Sequence, residues 1–196
     1  IITTTLHDRA CEMGMDTFVD SSDAKNKYSM SGTGGIYTYT MAQDTAYVPK
    51  TYKIYVNGAD TGKTLNFSND STQDINYYTA TVILRMDGEA ADLGTVSLEP
   101  AGSASADGIT LNYDKDAKNY SYYAQQDETK DVSGNAAPTI YKVMLNGKDC
   151  PGNSTSAKLV SFDKTCTRIF DYYSVKVTTK LNDSQKYMGK LTLVSG

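Results

Sequence analysis

Pro49-Lys50-Thr51-Tyr52-Lys53-Ile54-Tyr55-Val56-Asn57-Gly58-Ala59-Asp60 decides the fold class, because it reappears without a gap as Pro138-Thr139-Ile140-Tyr141-Lys142-Val143-Met144-Leu145-Asn146-Gly147-Lys148-Asp149. In both copies β-branched and aromatic residues alternate with polar ones, the period of a strand with one wet face. Asn-Gly follows directly, and that dipeptide accepts the two positive φ angles of a tight type I′ hairpin turn. Each copy is expected to hold a strand that folds back at the same place.

Further blocks recur downstream. Ile75-Asn76-Tyr77-Tyr78-Thr79-Ala80-Thr81-Val82 answers Phe170-Asp171-Tyr172-Tyr173-Ser174-Val175-Lys176-Val177, and Gly94-Thr95-Val96-Ser97-Leu98 answers Gly189-Lys190-Leu191-Thr192-Leu193. These two blocks are 95 residues from their partners and the first is 89, so the second copy carries six extra residues, around Cys150 to Cys166. Upstream two registers stay open: Asp23-Ala24-Lys25-Asn26 matches Asp116-Ala117-Lys118-Asn119, while Tyr37-Thr38-Tyr39 also matches Tyr120-Ser121-Tyr122. The stretch from Pro100 to Gly108, rich in Ala, Ser and Gly, has linker chemistry. Short strands separated by Asp, Asn, Gly and Ser clusters mark an antiparallel sandwich. The expectation is an all-β chain of two tandem immunoglobulin-like antiparallel β-sandwich domains related by internal duplication, residues 1–100 and 101–196. The alternative is one continuous sandwich with no true linker.

Composition agrees. Of 196 residues 39% are hydrophobic and 21% charged, with a net charge of −4, which fits a globular chain. Sixteen tyrosines, no tryptophan and four Glu against nineteen Asp favour strands and loops over helices. No run of Lys or Arg supplies the footprint that nucleic acid or an anionic membrane needs, and no segment reaches the roughly 18 apolar residues of a spanning helix. Neither nucleic acid nor membrane is expected as a partner. The chain opens on Ile1-Ile2-Thr3 without Met or a signal-like stretch, which reads as a processed or excised chain.

Cys150 and Cys166 bracket the insertion and have no counterpart in the first copy, so a disulfide stapling the longer loop is expected. Closing it would stabilise by roughly 3 kcal/mol and place the protein in an oxidising compartment. Cys11 is left over, either inert or a partner to one of the pair. Asn-x-Ser/Thr occurs five times, at Asn66, Asn69, Asn119, Asn153 and Asn182, which are candidate glycosylation sites in an exported protein.

Chemistry is weakly represented. His7 is the only histidine, and His7-Asp8 near Cys11 lacks the third orienting group of a nucleophilic site. Zinc is not expected without Cys-x-x-Cys or a second histidine. Gly32-Thr33-Gly34-Gly35 lacks the Lys-Ser/Thr of a phosphate loop and reads as a plain loop. Asp20-Ser21-Ser22-Asp23 and Asn112-Tyr113-Asp114-Lys115-Asp116 can offer oxygens to calcium but complete no EF-hand, and read as solvated turns. No metal, cofactor or catalytic residue is assigned. The paired tyrosines recur at equivalent sites, such as Tyr77-Tyr78 and Tyr172-Tyr173, where one ring of each pair can fill the core and the other meet solvent.

The closing segment Asp183-Ser184-Gln185-Lys186-Tyr187-Met188-Gly189-Lys190-Leu191-Thr192-Leu193 resembles the last strand of pilin domains of chaperone-usher fimbriae, where Tyr-x-Gly precedes an alternating terminal strand. That resemblance implies an incomplete immunoglobulin-like sandwich completed by a neighbour's N-terminal strand. Ile1-Ile2-Thr3-Thr4-Thr5-Leu6 is then the candidate donor strand. The units here are shorter than usual pilin domains, and the cysteines do not follow the family's early-strand pair, so no binding residue is carried over. The functional expectation is a non-enzymatic exported structural or adhesive subunit of a cell-surface filament. Its partners would be identical or related subunits and a host protein or glycan. The other classes are a virion tail or capsid decoration protein and a secreted carbohydrate-binding or carbohydrate-active protein.

Overall fold

A computed structural model describes residues 1–14, 16–102, 108–182, 184–185 and 189. Ser103 to Asp107 of the expected linker lie outside the described residues. So do Asp183, Lys186 to Met188 and Lys190 to Leu193 of the closing segment, and the likeness to a pilin terminal strand falls mostly there. Strands run in the order β1 (Ile2–Leu6), β2 (Arg9–Ala10), β3 (Asp16–Asp20), β4 (Lys27–Ser29), β5 (Ser31–Thr33), β6 (Ile36–Thr38), β7 (Tyr52–Val56) and β8 (Ala59–Leu65). A 14-residue strand, β9 (Gln73–Met86), follows. Then come β10 (Glu89–Ala90), β11 (Val96–Pro100), β12 (Ile109–Thr110), β13 (Asn112–Asp114), β14 (Asn119–Gln125), β15 (Tyr141–Leu145), β16 (Lys148–Asp149), β17 (Cys166–Tyr172), β18 (Lys180–Leu181) and β19 (Ser184–Gln185). Among the described residues one three-residue 3-10 turn, Ser156–Lys158, interrupts the strands.

Two buried clusters form where sheets face each other. In the first, Phe18, Tyr52, Ile54, Val56 and Leu65 from the sheet β4-β3-β7-β8 meet Ile2 and Ile75. In the second, Val96, Leu98 and Val143 from the sheet β12-β11-β15-β16 meet Val82, Leu84, Tyr120 and Phe170. Alternation in Tyr52-Lys53-Ile54-Tyr55-Val56 does what its period requires: Tyr52, Ile54 and Val56 are buried and Lys53 is exposed.

The pairing of the central strands in the first half recurs in the second, residue for residue. Asp16↔Val56 through Asp20↔Tyr52 between β3 and β7 is matched by Val96↔Leu145 through Pro100↔Tyr141 between β11 and β15. The β5–β6 hairpin pairs Gly32 with Tyr37, and β13–β14 pairs Tyr113 with Tyr120. Ile2 lies opposite Tyr37 and Val82 opposite Tyr120, so Tyr37 answers Tyr120 and the second of the two upstream registers is the one the backbone adopts. The loop bonds recur too, with Met30 N donating to Asp16 O at 3.0 Å and Leu111 N to Val96 O at 2.9 Å.

The Asn-Gly turns have positive φ throughout: 49° and 82° at Asn57-Gly58, 52° and 75° at Asn146-Gly147. Each asparagine side chain also packs on a distant glycine held at φ 125°. A Cβ added to Gly14 would come within 2.8 Å of Asn57 Cβ, and one on Gly94 within 2.3 Å of Asn146 Oδ1. Only glycine fits these two positions.

β9 belongs to both clusters. Ile75 lies in the first core, whereas Ala80, Val82 and Leu84 lie in the second. Its residues Gln73 to Tyr77 pair in parallel with β1, and Ala80 to Met86 pair in parallel with β17 along the same edge, while β14 lies antiparallel on the other. Two parallel pairings thus enter a fold expected to be antiparallel. They are allowed because a whole sandwich, rather than a tight turn, connects the strands involved. The change from one core to the other falls inside β9, some twenty residues before the expected linker, and β11 before that linker already packs in the second core.

Candidate functional site

The first sandwich is open at one end. A cleft of about 320 Å³ there is lined by Phe18, Tyr39, Leu65 and Phe67, with Asn69 and Asp70 at its rim. Its floor is an aromatic cluster: Phe18 lies 4.9 Å from Tyr28, 4.8 Å from Tyr39 and 5.4 Å from Tyr52 between ring centres. Edge-to-face and offset rings at these spacings attract beyond their buried area. Ile1 and Ser71 also line the cleft, the Ile1 ammonium group donating to Ser71 O at 2.8 Å. Such a hollow offers aromatic faces and edges beside an amide and a carboxylate, the chemistry that holds a sugar or a polar side chain. It was not legible as a site, although aligning Leu65-Asn66-Phe67 with Val160-Ser161-Phe162 would have shown the paired aromatics: Tyr52 and Phe67 are 5.4 Å apart, Tyr141 and Phe162 5.8 Å.

β1 forms one wall. Ile2 and Thr4 are buried, Thr4 Oγ1 donates to Cys11 O at 2.7 Å, and the strand is paired on both edges within its own chain. Ile1 to Leu6, the candidate donor strand, therefore fills a slot between β6 and β9 of the same sandwich.

Beneath β1 lies Asp16, fully buried, with no hydrogen-bond partner for either carboxylate oxygen among the described residues. Burial pushes its pKa up from 3.8 to about 6. The second core has Val96 at this place. Elsewhere carboxylates brace loops. Asp44 accepts from the backbone N–H groups of Ala46 and Lys50, and Asp127 from those of Thr129 and Thr139, in the same geometry. Burial alone would raise Asp127, but bonds from Thr129 and Thr139 outweigh it and hold the carboxyl at about 2.

The expected staple is not formed. Cys150 and Cys166 are free and buried, as Cys11 is free and half-buried. The Tyr172 hydroxyl donates to Cys150 Sγ at 3.3 Å, at the far end of β17 from Cys166, whose thiol instead lies 3.9 Å from Ser161 O. Six strand steps between residues 166 and 172 span about 20 Å, whereas a disulfide needs Cα atoms within about 7 Å. The argument from these cysteines for an oxidising compartment falls with the bond.

Among the candidate sequons, Asn69 and Asn182 are exposed, while Asn66 and Asn119 are half-buried. Asn153 is buried, with Nδ2 donating to Val143 O at 2.6 Å and Oδ1 accepting from Val143 N at 3.4 Å, so the folded chain presents no free amide there. His7 Nε2 hydrogen-bonds Thr79 Oγ1 at 2.7 Å, and Asp8 accepts from the Tyr78 hydroxyl at 2.8 Å, neither aimed at Cys11. Asp20 accepts from Ser22 N and Oγ, and Asp114 from the N–H groups of Asp116 and Ala117, the pattern of ordinary turns. Among the described residues no group of three His, Cys, Asp or Glu could hold a metal ion, and no helix is long and apolar enough to cross a membrane.

No family model and no curated protein matches the chain. Similar solved structures include the minor pilin GBS52 of Streptococcus agalactiae, 10% identical over 92% of this chain and 98% of that one, with a TM-score of 0.31. A fimbrial protein of Bacteroides ovatus is 10% identical over 88% of this chain, with a TM-score of 0.32; the chain spans about half of its length, 49%. Superpositions this loose record a likeness among all-β proteins and carry no argument about residues or mechanism.

Proposed function

We propose that the chain is a non-enzymatic structural subunit of a surface filament, made of tandem β-sandwich copies that arose by duplication. The observation that carries this reading is β9, whose first half closes one sandwich and whose second half opens the next. With no loop between them, consecutive units are held end to end by covalent, hydrogen-bonded backbone, which suits an elongated assembly. The recurrence of register at β3/β7 and β11/β15 supports duplication, with the junction in β9 rather than at residue 100. Identical or related subunits are the partners, and exchange of a strand at the β1 slot is the contact between them. Export would make Asn69 and Asn182 the accessible glycosylation sites.

Light scattering on native material tests the filament. Polymers that survive mild conditions and fall to 21.3 kDa only in strong denaturant are expected. A monomer throughout overturns the reading. A binding module is favoured by one observation, the aromatic cleft under Ile1. Glycan binding lost on Phe67→Ala would select it, and a screen for glycan hydrolysis without signal would separate it from a carbohydrate-active enzyme.

A further inference from the structure

β9 turns opposite faces to the two cores. Ile75 is buried in the first core, while Ala80, Val82 and Leu84 are buried in the second, and successive side chains of a strand alternate between its faces. No bulge intervenes, because the pairing with β14 runs unbroken from Tyr77↔Gln125 to Val82↔Tyr120. The odd-numbered face of β9 therefore packs inside the first sandwich and then continues along the outside of the second.

The tyrosines of β14 divide accordingly. Tyr120 and Tyr122 lie opposite Val82 and Ala80, on the face of the second core, where the Tyr122 ring reaches that of Phe162 at 6.1 Å. Ser121 and Tyr123 lie opposite Thr81 and Thr79, on the outer face, and Asn112 of β13 extends that face beside Ser121. Tyr123 is 56% exposed there, and its ring meets that of Tyr77 edge-on at 6.3 Å, where the first sandwich ends. Asn112 is exposed and Ser121 half-buried. The result is a corner between the sandwiches, a hollow of about 400 Å³ lined by Thr79, Asn112, Ser121, Tyr122 and Tyr123. Thr79 Oγ1 is held by His7 Nε2 at 2.7 Å, which fixes one hydroxyl of the lining. None of the five residues is charged, whereas the cleft at the open end of the first sandwich has Asp70 at its rim.

We propose that this corner is a binding site for a neutral saccharide. A pyranose ring has an apolar face of C–H groups and a rim of hydroxyls. The exposed Tyr123 ring receives the first, and an amide and two hydroxyls at fixed places on the sheet receive the second. A carboxylate or ammonium guest would leave water for a wall with no opposite charge to meet it. The volume falls within the roughly 300–1,000 Å³ of small-ligand sites. The corner arises because β9 changes the face it buries, so it belongs to the junction and to neither sandwich alone. It is separate from the aromatic cleft and does not depend on the filament reading.

Saturation-transfer NMR on the full chain tests it, with neutral hexasaccharides of glucose, mannose, galactose and N-acetylglucosamine beside the anionic hexagalacturonate. Saturable binding of a neutral member is expected, with hexagalacturonate weaker by about tenfold or more. Tyr123→Ala should weaken the neutral sugar by about tenfold or more, while Tyr123→Phe, which keeps the ring face, should retain it. Asn112→Ala should weaken it by about threefold or more. Both side chains are exposed, so the variants should melt as the unaltered chain does. Failure of every neutral member to bind overturns the site, as does equal binding of hexagalacturonate. Binding indifferent to Tyr123→Ala overturns it too, and would assign the sugar to the aromatic cleft. The mass of native material reads the filament separately and is untouched by any of these results.

Discussion

The two sandwiches share one backbone plan and fill it differently. Registers at β3/β7 and β11/β15 coincide, as do the Asn-Gly turns and the loop-bracing Asp44 and Asp127. Yet at corresponding places the first core holds Phe18, Thr4 and Asp16 where the second holds Leu98, Leu84 and Val96. The first relies on rings stacked around Phe18 and leaves a cleft; the second closes over aliphatic side chains and the longer loop carrying Val160 and Phe162. Turn chemistry and period-two alternation therefore fix the plan, and the core residues decide how firmly each copy keeps it.

The sharpest way to break the comparison is Phe18→Ala. It should cost about 3–5 kcal/mol in denaturant unfolding, because four rings lose their common neighbour. Leu98→Ala should cost less, about 2–5 kcal/mol, and the two halves share β9, so either change should be felt by the other half.

Asp16→Val imports the second core's solution into the first. Asp16 has a folded pKa of about 6 against 3.8, so folding takes up a proton; its contribution is whole below pH 3.8 and is lost as pH rises through 6. The valine variant should gain about 2–3 kcal/mol more at pH 7.5 than at pH 3.5, read from unfolding midpoints across pH. A gain that ignores pH would mean the carboxylate is solvated in the native state.

Asn153→Ala probes the loop that only the second copy has. It strips both Val143 backbone groups of their side-chain partners and should cost about 1–3 kcal/mol. Lys53 and Lys142 form the same exposed ion pair in the two copies, to Asp60 at 3.0 Å and Asp149 at 3.3 Å. Replacing either with Ala should change stability by less than about 1 kcal/mol and equally in both. Reductant should shift the melting temperature not at all, and three thiols should titrate in denaturant without it; one thiol would restore the disulfide.

What could be read from residues alone follows local chemistry. Asn57-Gly58 and Asn146-Gly147 announced their turns because φ preference is a property of the dipeptide, and Tyr52 to Val56 announced its buried face because alternation is local. The sharing of β9 was hidden, since Gln73 to Met86 alternates without a Gly or Pro to mark where one sandwich ends, while Pro100 to Gly108 looks like a boundary. Cys150 and Cys166 flank a loop in sequence but meet opposite ends of β17, a fact of long-range packing. The cleft likewise depends on which loops do not cover Phe67, and no single segment records that.

The parallel pairing of β1 with β9, and of β9 with β17, has a mechanical meaning. In each sandwich the strand that enters lies beside the strand that leaves, pointing the same way. Tension applied at the two ends of a unit therefore slides these neighbours past each other, loading five backbone positions at the first junction and seven at the second together. Pulled in shear, hydrogen bonds must fail as a group rather than one by one, as they would in an unzipping hairpin. A chain of such units would yield late and abruptly under a steady pull, the behaviour wanted of a tether.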